Sequence, residues 1–278
     1  MVGCLFSFCL MAIGARELSG SLDTFQVLFL RSVFGLLVIS SLMIVTRQAR
    51  ARFTTRLPLH CVRNVFHFAG QYGWFLGISI LPLAEVFALE FTVPLWTALI
   101  AWLFLGERLT ANKLVAIVLG LFGVMLIVKP GTQLFSYASF VVLAAAICYS
   151  VSHACTKGLA SSESPITILF YMCVVQLPIG LVLAIPNWVT PQGEQWLWLS
   201  VVSVTALTAH YCMTKAMQHT EVTHVVVMDF LRLPIIGAVG VALYGEPLQL
   251  SLLVGAAIML TGNVWQLMAR NNESISRD

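Results

Sequence analysis

Apolar residues occur in stretches of about 20, separated by short linkers that carry prolines, glycines and charges. A stretch of this length, folded as an α-helix, matches the hydrocarbon thickness of a bilayer. The pattern predicts an all-α membrane protein with ten spans, near residues 1–18, 25–45, 60–80, 83–105, 112–128, 136–157, 166–185, 194–213, 223–244 and 249–269. The apolar start lacks the positive charge of a secretory signal, so we interpret it as the first span.

The second half of the chain repeats the first. A shift of 139 residues superimposes Glu90-Phe91 on Asp229-Phe230, Gly106-Glu107 on Gly245-Glu246, Leu114-Val115 on Leu253-Val254, and Gly123 on Gly262. Because five spans is an odd number, the second half must enter the membrane in the opposite orientation, as in the inverted repeats of many secondary transporters. The predicted units are a first repeat, 1–131, and a second repeat, 132–278, with a short cytoplasmic tail.

Composition excludes a water-soluble fold, because 59% of the 278 residues are hydrophobic and only 10% are charged, against roughly 25% charged in soluble domains. No basic tract with interleaved aromatic residues indicates nucleic-acid binding. The seven cysteines form neither a CxxC motif nor a Cys/His ligand pattern, so we interpret them as reduced packing residues. We expect no metal and no cofactor.

Lysine and arginine are distributed unequally between the two sides of the predicted spans. With the N-terminus in the cytoplasm, the outside carries only Arg16 and Lys129. The inside carries ten basic residues: Arg47, Arg50, Arg52, Arg56, Arg108, Lys113, Lys157, Lys215, Arg270 and Arg277. The positive-inside rule therefore predicts a multi-pass protein of the bacterial inner membrane with both termini cytoplasmic.

The third span carries a polar face. Arg63, His67, Gln71 and Trp74 follow one another at intervals of four, four and three residues, so they share one side of a helix. We expect this face to line a substrate cavity; hydrogen bonding between helices is the alternative.

Carboxylates lie within the fourth and ninth spans, where each costs roughly 2.5 to 3.5 kcal/mol to insert. Pro94 cannot donate to the carbonyl of Glu90, which leaves a free backbone acceptor in mid-membrane, as in the broken helices of transporters. Glu90 either serves the substrate or forms a structural ion pair with Arg63 or Arg31. Asp229 and Arg232 are three residues apart and can pair with each other, or open to bind a substrate carboxylate on Arg232.

Histidine and aromatic residues complete the candidate set. His153 shares a face with Tyr149 in the sixth span, and His210 and Tyr211 lie in the eighth. Histidines at such depths can relay protons, although each is also compatible with simple packing. Glu90, Asp229 and His153 are the proton-coupling candidates, and Trp74, Trp96 and Tyr149 suit a flat or apolar part of a substrate.

The search for enzyme signatures finds no HExxH, GxSxG or GxxxxGK[ST] motif. We therefore expect neither catalysis nor ATP-driven transport by this chain. Two rival functions remain open at this point: an intramembrane enzyme that acts on a lipid metabolite, and a scaffold that transports nothing.

The segment from Ala88 to Leu109, followed by a Gly-rich span and by Val128-Lys129-Pro130-Gly131, resembles the EamA repeat of the drug/metabolite transporter superfamily. Leu243-Tyr244-Gly245-Glu246-Pro247-Leu248 resembles its second copy, and the Gly-Glu turn is the most specific element. The resemblance implies ten helices in two inverted five-helix bundles around a cavity open alternately to each side. Glu107 and Glu246 match the motif, and we expect each to cap the helix that follows it.

These patterns predict a secondary transporter of a small organic metabolite, with export favoured over uptake. An amino acid or a related anionic or zwitterionic compound fits the arginines and aromatic residues; uptake of a nucleotide-like or vitamin-like metabolite is the alternative. The expected partners are the substrate, the lipid bilayer and protons, in a monomer or homodimer. Replacement of Arg232 by Gln is expected to abolish flux while leaving the protein folded.

Overall fold

The computed structural model of this chain describes residues 1–47, 53–105, 111–128, 136–219, 225, 229, 232–247 and 249–275. The regular elements in these ranges are helices. They are α1 (Val2–Leu18), α2 (Thr24–Val45), α3 (Leu57–Ile80), α4 (Leu83–Glu90), α5 (Val93–Leu105), α6 (Ala111–Val128), α7 (Tyr137–Ala160), α8 (Pro165–Ala184), a short 3₁₀ turn (Ile185–Asn187), α9 (Gln195–His219), α10 (Arg232–Tyr244) and α11 (Leu250–Ile275).

Four helices in the described part of the chain are long and apolar enough to cross a bilayer: Thr24–Val45, Tyr137–Ala160, Pro165–Asn187 and Gln195–His219. Large apolar side chains are exposed on the outside of the molecule, among them Ile44, Val118, Val182 and Leu243. An apolar exterior of this extent suits contact with lipid, because apolar side chains that face lipid tails avoid the free-energy cost of facing water.

The fourth predicted span is two helices. Helix α4 ends at Glu90 and α5 begins at Val93, because Pro94 cannot continue the hydrogen-bond ladder. The Thr92 hydroxyl donates to the carbonyl of Leu89 at 2.7 Å, and Trp96 Nε1 donates to the same hydroxyl at 2.8 Å. Hydrogen bonds of local side chains thus stabilise the break. The break places the carboxylate of Glu90 at a helix end inside the bundle.

Side-chain caps start several helices where the sequence changes from polar to apolar. Asp23 accepts from the backbone N–H of Phe25 at 2.9 Å and begins α2, and Ser164 accepts from that of Thr167 at 3.1 Å and begins α8. Each cap satisfies a backbone donor that the first turn of a helix leaves free.

The helices pack in pairs that are related between the two halves. Helix α1 packs mainly against α9 and α3 against α7, while α2 packs against α8, α4 against α10 and α6 against α11. If each predicted span is exchanged with the span five places along, the α1–α9 pair becomes the α3–α7 pair. The same exchange leaves the other three pairs unchanged. The packing therefore has the pattern of a two-fold relation between the halves.

The α6–α11 pair is held close by two glycines. A Cβ atom on Gly255 would lie 2.7 Å from the carbonyl oxygen of Gly123 and 2.7 Å from the side chain of Ile127. No larger residue fits at this crossing without a shift of the backbone.

Glu246 caps a different helix from the one we expected. Its Oε2 accepts from the backbone N–H of Leu83 at 2.8 Å, and its Oε1 lies 2.8 Å from Nη2 of Arg16, which also donates to the carbonyl of Leu81 at 2.6 Å. Glu246 thus caps α4, because tertiary packing brings the start of α4 to this turn. We name the contacts among Arg16, Leu81, Leu83 and Glu246 the Arg16 latch. The matching turn at Gly106-Glu107 lies outside the described residues.

Candidate functional site

A small cavity lies in the interior of the bundle, where the break between α4 and α5 faces α1, α3, α7 and α9. The space open to the centre of a water molecule has a volume of about 20 Å³. This space holds about one water molecule. The cavity is therefore small in this structure. Its lining residues are Phe8, Met11, Gln71, Trp74, Glu90, Tyr149, His153, His210 and Met213.

One wall of the cavity is acidic. Nη2 of Arg232 donates to Oε1 of Glu90 at 3.2 Å and also to Oδ2 of Asp229, and the indole Nε1 of Trp74 donates to Oε2 of Glu90 at 2.8 Å. We name Glu90, Asp229 and Arg232 the Arg232 cluster; with both carboxylates ionised it carries a net charge of −1. Asp229 and Arg232 are buried, whereas the side chain of Glu90 keeps 14% of its surface accessible.

Aromatic rings support the guanidinium of Arg232. Its central carbon lies 4.4 Å from the ring centre of Phe8 and 5.0 Å from that of Phe87. Contact with the ring faces stabilises a cation that water does not reach. The Arg232 cluster is therefore held on both sides, by carboxylates and by aromatic rings.

Imidazole and phenol rings form another part of the cavity wall. The ring of His67 lies 4.7 Å from that of His210 and 5.7 Å from that of Tyr149, and Tyr149 stacks with His153 at 6.1 Å. These rings bring α3, α7 and α9 together at the level of the α4 break. In the part of the chain that the structure describes, no three His, Cys, Asp or Glu side chains come together as a metal site requires.

A layer of amides and guanidiniums lies behind this wall. Nη2 of Arg31 donates to Oε1 of Gln71 at 2.9 Å and to Oε1 of Gln176 at 2.7 Å, and Gln176 Nε2 hydrogen-bonds to Nδ1 of His67 at 2.9 Å. Arg31 is thus separated from the cavity by one lining residue, Gln71.

Arg63 belongs to the same layer. Its Nε donates to the hydroxyl of Thr156 at 3.2 Å and its Nη1 to Oδ1 of Asn64 at 2.5 Å. It lies two turns from Gln71 along α3 and is not a lining residue.

The structure brings together most of the side chains that the sequence indicated. Gln71, Trp74, Glu90, Tyr149, His153 and His210 line the cavity. His67, Asp229 and Arg232 contact the lining residues from behind. Glu90 pairs with Arg232 and not with Arg63 or Arg31, because α4 packs against α10.

Besides Arg63, two predicted residues do not join the cavity. Tyr211 is 39% exposed on the outside of the bundle, because it follows His210 by about 100° around α9 and His210 faces inward. Trp96 lies on α5 beyond the helix break, where its indole donates to Thr92. Neither placement fits the interpretation of these residues as part of the lining.

Sequence reasoning missed several residues of the site. Phe8, Met11 and Met213 line the cavity but lie in apolar spans, where nothing distinguishes them from lipid-facing neighbours. Gln176 was detectable, since it is a lone amide in an apolar span two residues before Pro178.

Comparison with known proteins identifies the family. The model of the EamA-like transporter family matches residues 1–129 and again 136–267. A relative in Rickettsia felis, named S-adenosylmethionine uptake transporter, is 27% identical over 94% of this chain and 90% of its own. A riboflavin transporter of Brucella anthropi is 27% identical over 87% of this chain and 86% of its own. A pseudopaline exporter of Pseudomonas aeruginosa is 28% identical over 81% of this chain and 80% of its own.

A solved crystal structure has the same fold. It superimposes with a TM-score of 0.69 over 96% of this chain and 95% of its own, at 17% identity. Because the family model covers nearly the whole sequence, the chain belongs to the EamA-like transporter family and is an integral membrane protein of that family.

Proposed function

We propose that this protein is a secondary transporter that moves a small organic metabolite across the inner membrane by alternating access. The observation that carries the proposal is the contact of Glu90 with Arg232 and Trp74 at the break between α4 and α5, beside an internal cavity. Charged groups at membrane depth are costly, and they mark substrate paths more often than structural contacts. A helix broken beside a cavity is a common way for transporters to present such groups.

The architecture that we propose is two inverted five-helix repeats, 1–131 and 132–278. Two observations support it: the family model matches twice, over 1–129 and 136–267, and the helix pairs exchange under a two-fold relation. Both termini are proposed to be cytoplasmic, in a monomer or homodimer.

The cavity favours a substrate with an ammonium group and a flat or apolar part. In the Arg232 cluster only Glu90 lines the cavity, so its carboxylate is the group that a substrate cation meets. Trp74, Tyr149 and Phe8 offer ring faces, and Met11 and Met213 offer deformable apolar contacts. An amino acid or an amino-acid derivative meets both requirements. The relatives' names include an uptake transporter and an exporter, so export remains our prediction from the sequence.

Both ends of the bundle carry polar contacts that close it. At one end is the Arg16 latch. At the other, Nη1 of Arg56 donates to the carbonyl of Gly158 at 2.6 Å, and Nε2 of His60 lies 2.6 Å from Oε2 of Glu163. Alternating access requires that the contacts at one end break while those at the other remain. A cavity this small suits a state of the transporter in which both ends of the bundle are closed.

Flux measurements in proteoliposomes test the proposal. Purified protein is reconstituted, loaded with unlabelled compound and challenged with radiolabelled S-adenosylmethionine, riboflavin or L-phenylalanine. We expect saturable counterflow of at least one of these compounds, absent from liposomes without protein. Formation of a product without counterflow would favour an intramembrane enzyme, and neither flux nor product with all three would contradict transport of this substrate class.

A further inference from the structure

Two buried guanidiniums of the bundle have no carboxylate partner. Arg31 and Arg63 are buried on α2 and α3, and within the described ranges no Asp or Glu forms an ion pair with either. Their partners are neutral: Gln71 and Gln176 for Arg31, Asn64 and Thr156 for Arg63. Because arginine stays protonated in proteins, this layer carries two positive charges that no described residue neutralises.

Such an arrangement is costly by itself. A buried ion costs several kcal/mol to desolvate unless an opposite charge compensates for it. In the Arg232 cluster, by contrast, two carboxylates contact the buried guanidinium, so the absence of a described counter-charge at Arg31 and Arg63 points to a ligand.

Arg31 also has free donors. Its Nε and Nη1 are buried and have no hydrogen-bond partner among the described residues, although Nη2 donates to two amides. An unsatisfied buried donor costs roughly 1 to 3 kcal/mol. Nη2, which already donates to the two amides, belongs to both edges of the guanidinium that bind a carboxylate bidentately, so the free Nε and Nη1 each offer a single hydrogen bond to an anion.

Arg31 lies directly behind the lining of the cavity. Gln71 lines the cavity and accepts from Arg31, so one side chain separates Arg31 from the cavity. Glu90 is also a lining residue. Negative charge is therefore present in the lining at Glu90, and positive charge lies behind Gln71 at Arg31.

We propose that Arg31 and Arg63 form an anion-binding site beside the cavity, behind Gln71, and that it holds the carboxylate of a zwitterionic substrate whose ammonium group faces Glu90. The identity of the anion as a substrate group rests on the proposed function; the binding of a small anion does not. A free inorganic anion offers the same chemistry, and the experiment separates the two sources.

The first measurement is the unfolding temperature of the full-length protein in detergent, in sodium formate and in sodium gluconate of equal concentration. Formate is the smallest carboxylate, whereas gluconate is a much larger one that a confined site excludes. We expect formate to raise the unfolding temperature by about 3 °C or more relative to gluconate. Arg31→Gln is expected to lose this difference, and Arg47→Gln, which removes an exposed arginine, to keep it.

The same variant distinguishes a ligand site from a structural role. In gluconate, Arg31→Gln is expected to unfold at the same temperature as the unchanged protein or higher, because it removes an uncompensated charge. A structural arginine would give a lower temperature. The anion site would be overturned if the wild-type protein unfolded at the same temperature in formate and in gluconate. It would also be overturned if Arg31→Gln kept the full rise in unfolding temperature in formate.

The second measurement identifies the source of the anion. L-Phenylalanine and phenethylamine differ only in the carboxylate. We expect the amino acid to give the same rise in unfolding temperature as the amine at a concentration at least tenfold lower. Arg31→Gln is expected to remove this preference. A response to formate without a preference for the amino acid would overturn the assignment to a substrate carboxylate and indicate a free anion. Anion binding without any flux would instead contradict the transport function, so the two failures differ.

Discussion

Glu90 and Asp229, which occupy equivalent places in the two halves of the sequence, both accept hydrogen bonds from the same nitrogen, Nη2 of Arg232. One arginine of the second half thus binds a carboxylate from each half, and one negative charge stays uncompensated when both carboxylates are ionised. The two carboxylates are not equivalent in their surroundings, because Glu90 lines the cavity whereas Asp229 is buried behind it. This difference assigns substrate contact to Glu90 and support of Arg232 to Asp229 in the proposed mechanism.

Replacement of Glu90 by Gln is expected to reduce flux at least tenfold, the effect of losing about 1.4 kcal/mol of charge-assisted binding. The fold is expected to persist, because Asp229 still neutralises Arg232. Flux in proteoliposomes and the unfolding temperature check the two expectations. Glu194→Gln, which changes an exposed carboxylate, is the matched control; equal flux in both variants would remove Glu90 from the substrate path.

Replacement of Arg232 by Gln is expected to abolish flux and also to destabilise the protein. It leaves Glu90 and Asp229 without a cation, and removal of one partner from a buried pair costs roughly 3 to 5 kcal/mol. This expectation differs from the one that the sequence alone suggested. Asp229→Asn combined with Arg232→Gln is expected to recover part of the unfolding temperature, because fewer uncompensated charges remain. If the effects of the two substitutions add, the pair is not coupled as the contact indicates.

Replacement of Gly255 by Ala is expected to lower stability by about 1 to 3 kcal/mol, because the added methyl group meets the backbone of Gly123. Gly158→Ala is the control. At that position the nearest atom is Leu59 Cδ2 at 3.7 Å, an ordinary contact, and alanine favours a helix more than glycine does. Thermal unfolding should therefore rank Gly158→Ala above Gly255→Ala. The reverse order would contradict the close crossing of α6 and α11.

Proton coupling remains a prediction of its own. Glu90 and His153 both line the cavity, whereas Asp229 is buried in the Arg232 cluster. If Glu90 exchanges a proton with the cavity, an imposed pH gradient will drive accumulation of labelled substrate against its concentration gradient. Glu90→Gln is expected to equilibrate substrate without accumulation, and His153→Gln tests the histidine separately. Accumulation that ignores the pH gradient in the unchanged protein would exclude proton coupling.

Much of the fold was predictable because helices are local. The apolar stretches predicted the described helices to within a few residues at most ends, since hydrogen bonds within a helix join residues four apart and the length of an apolar stretch sets its extent. Pro94 predicted the interruption after Glu90 for the same reason. Asp229 and Arg232 are three residues apart, so their pairing also followed from helical geometry.

What the sequence by itself determined was therefore the position of the helices, the break beside Glu90 and the polar residues that could not face lipid. The tertiary structure alone decided that Glu90 pairs with Arg232, that Glu246 caps α4, that Tyr211 faces outward and that Arg31 has no described carboxylate partner. These contacts join residues far apart in the chain. They depend on which helix faces pack together, and the period of a single helix does not specify its neighbour.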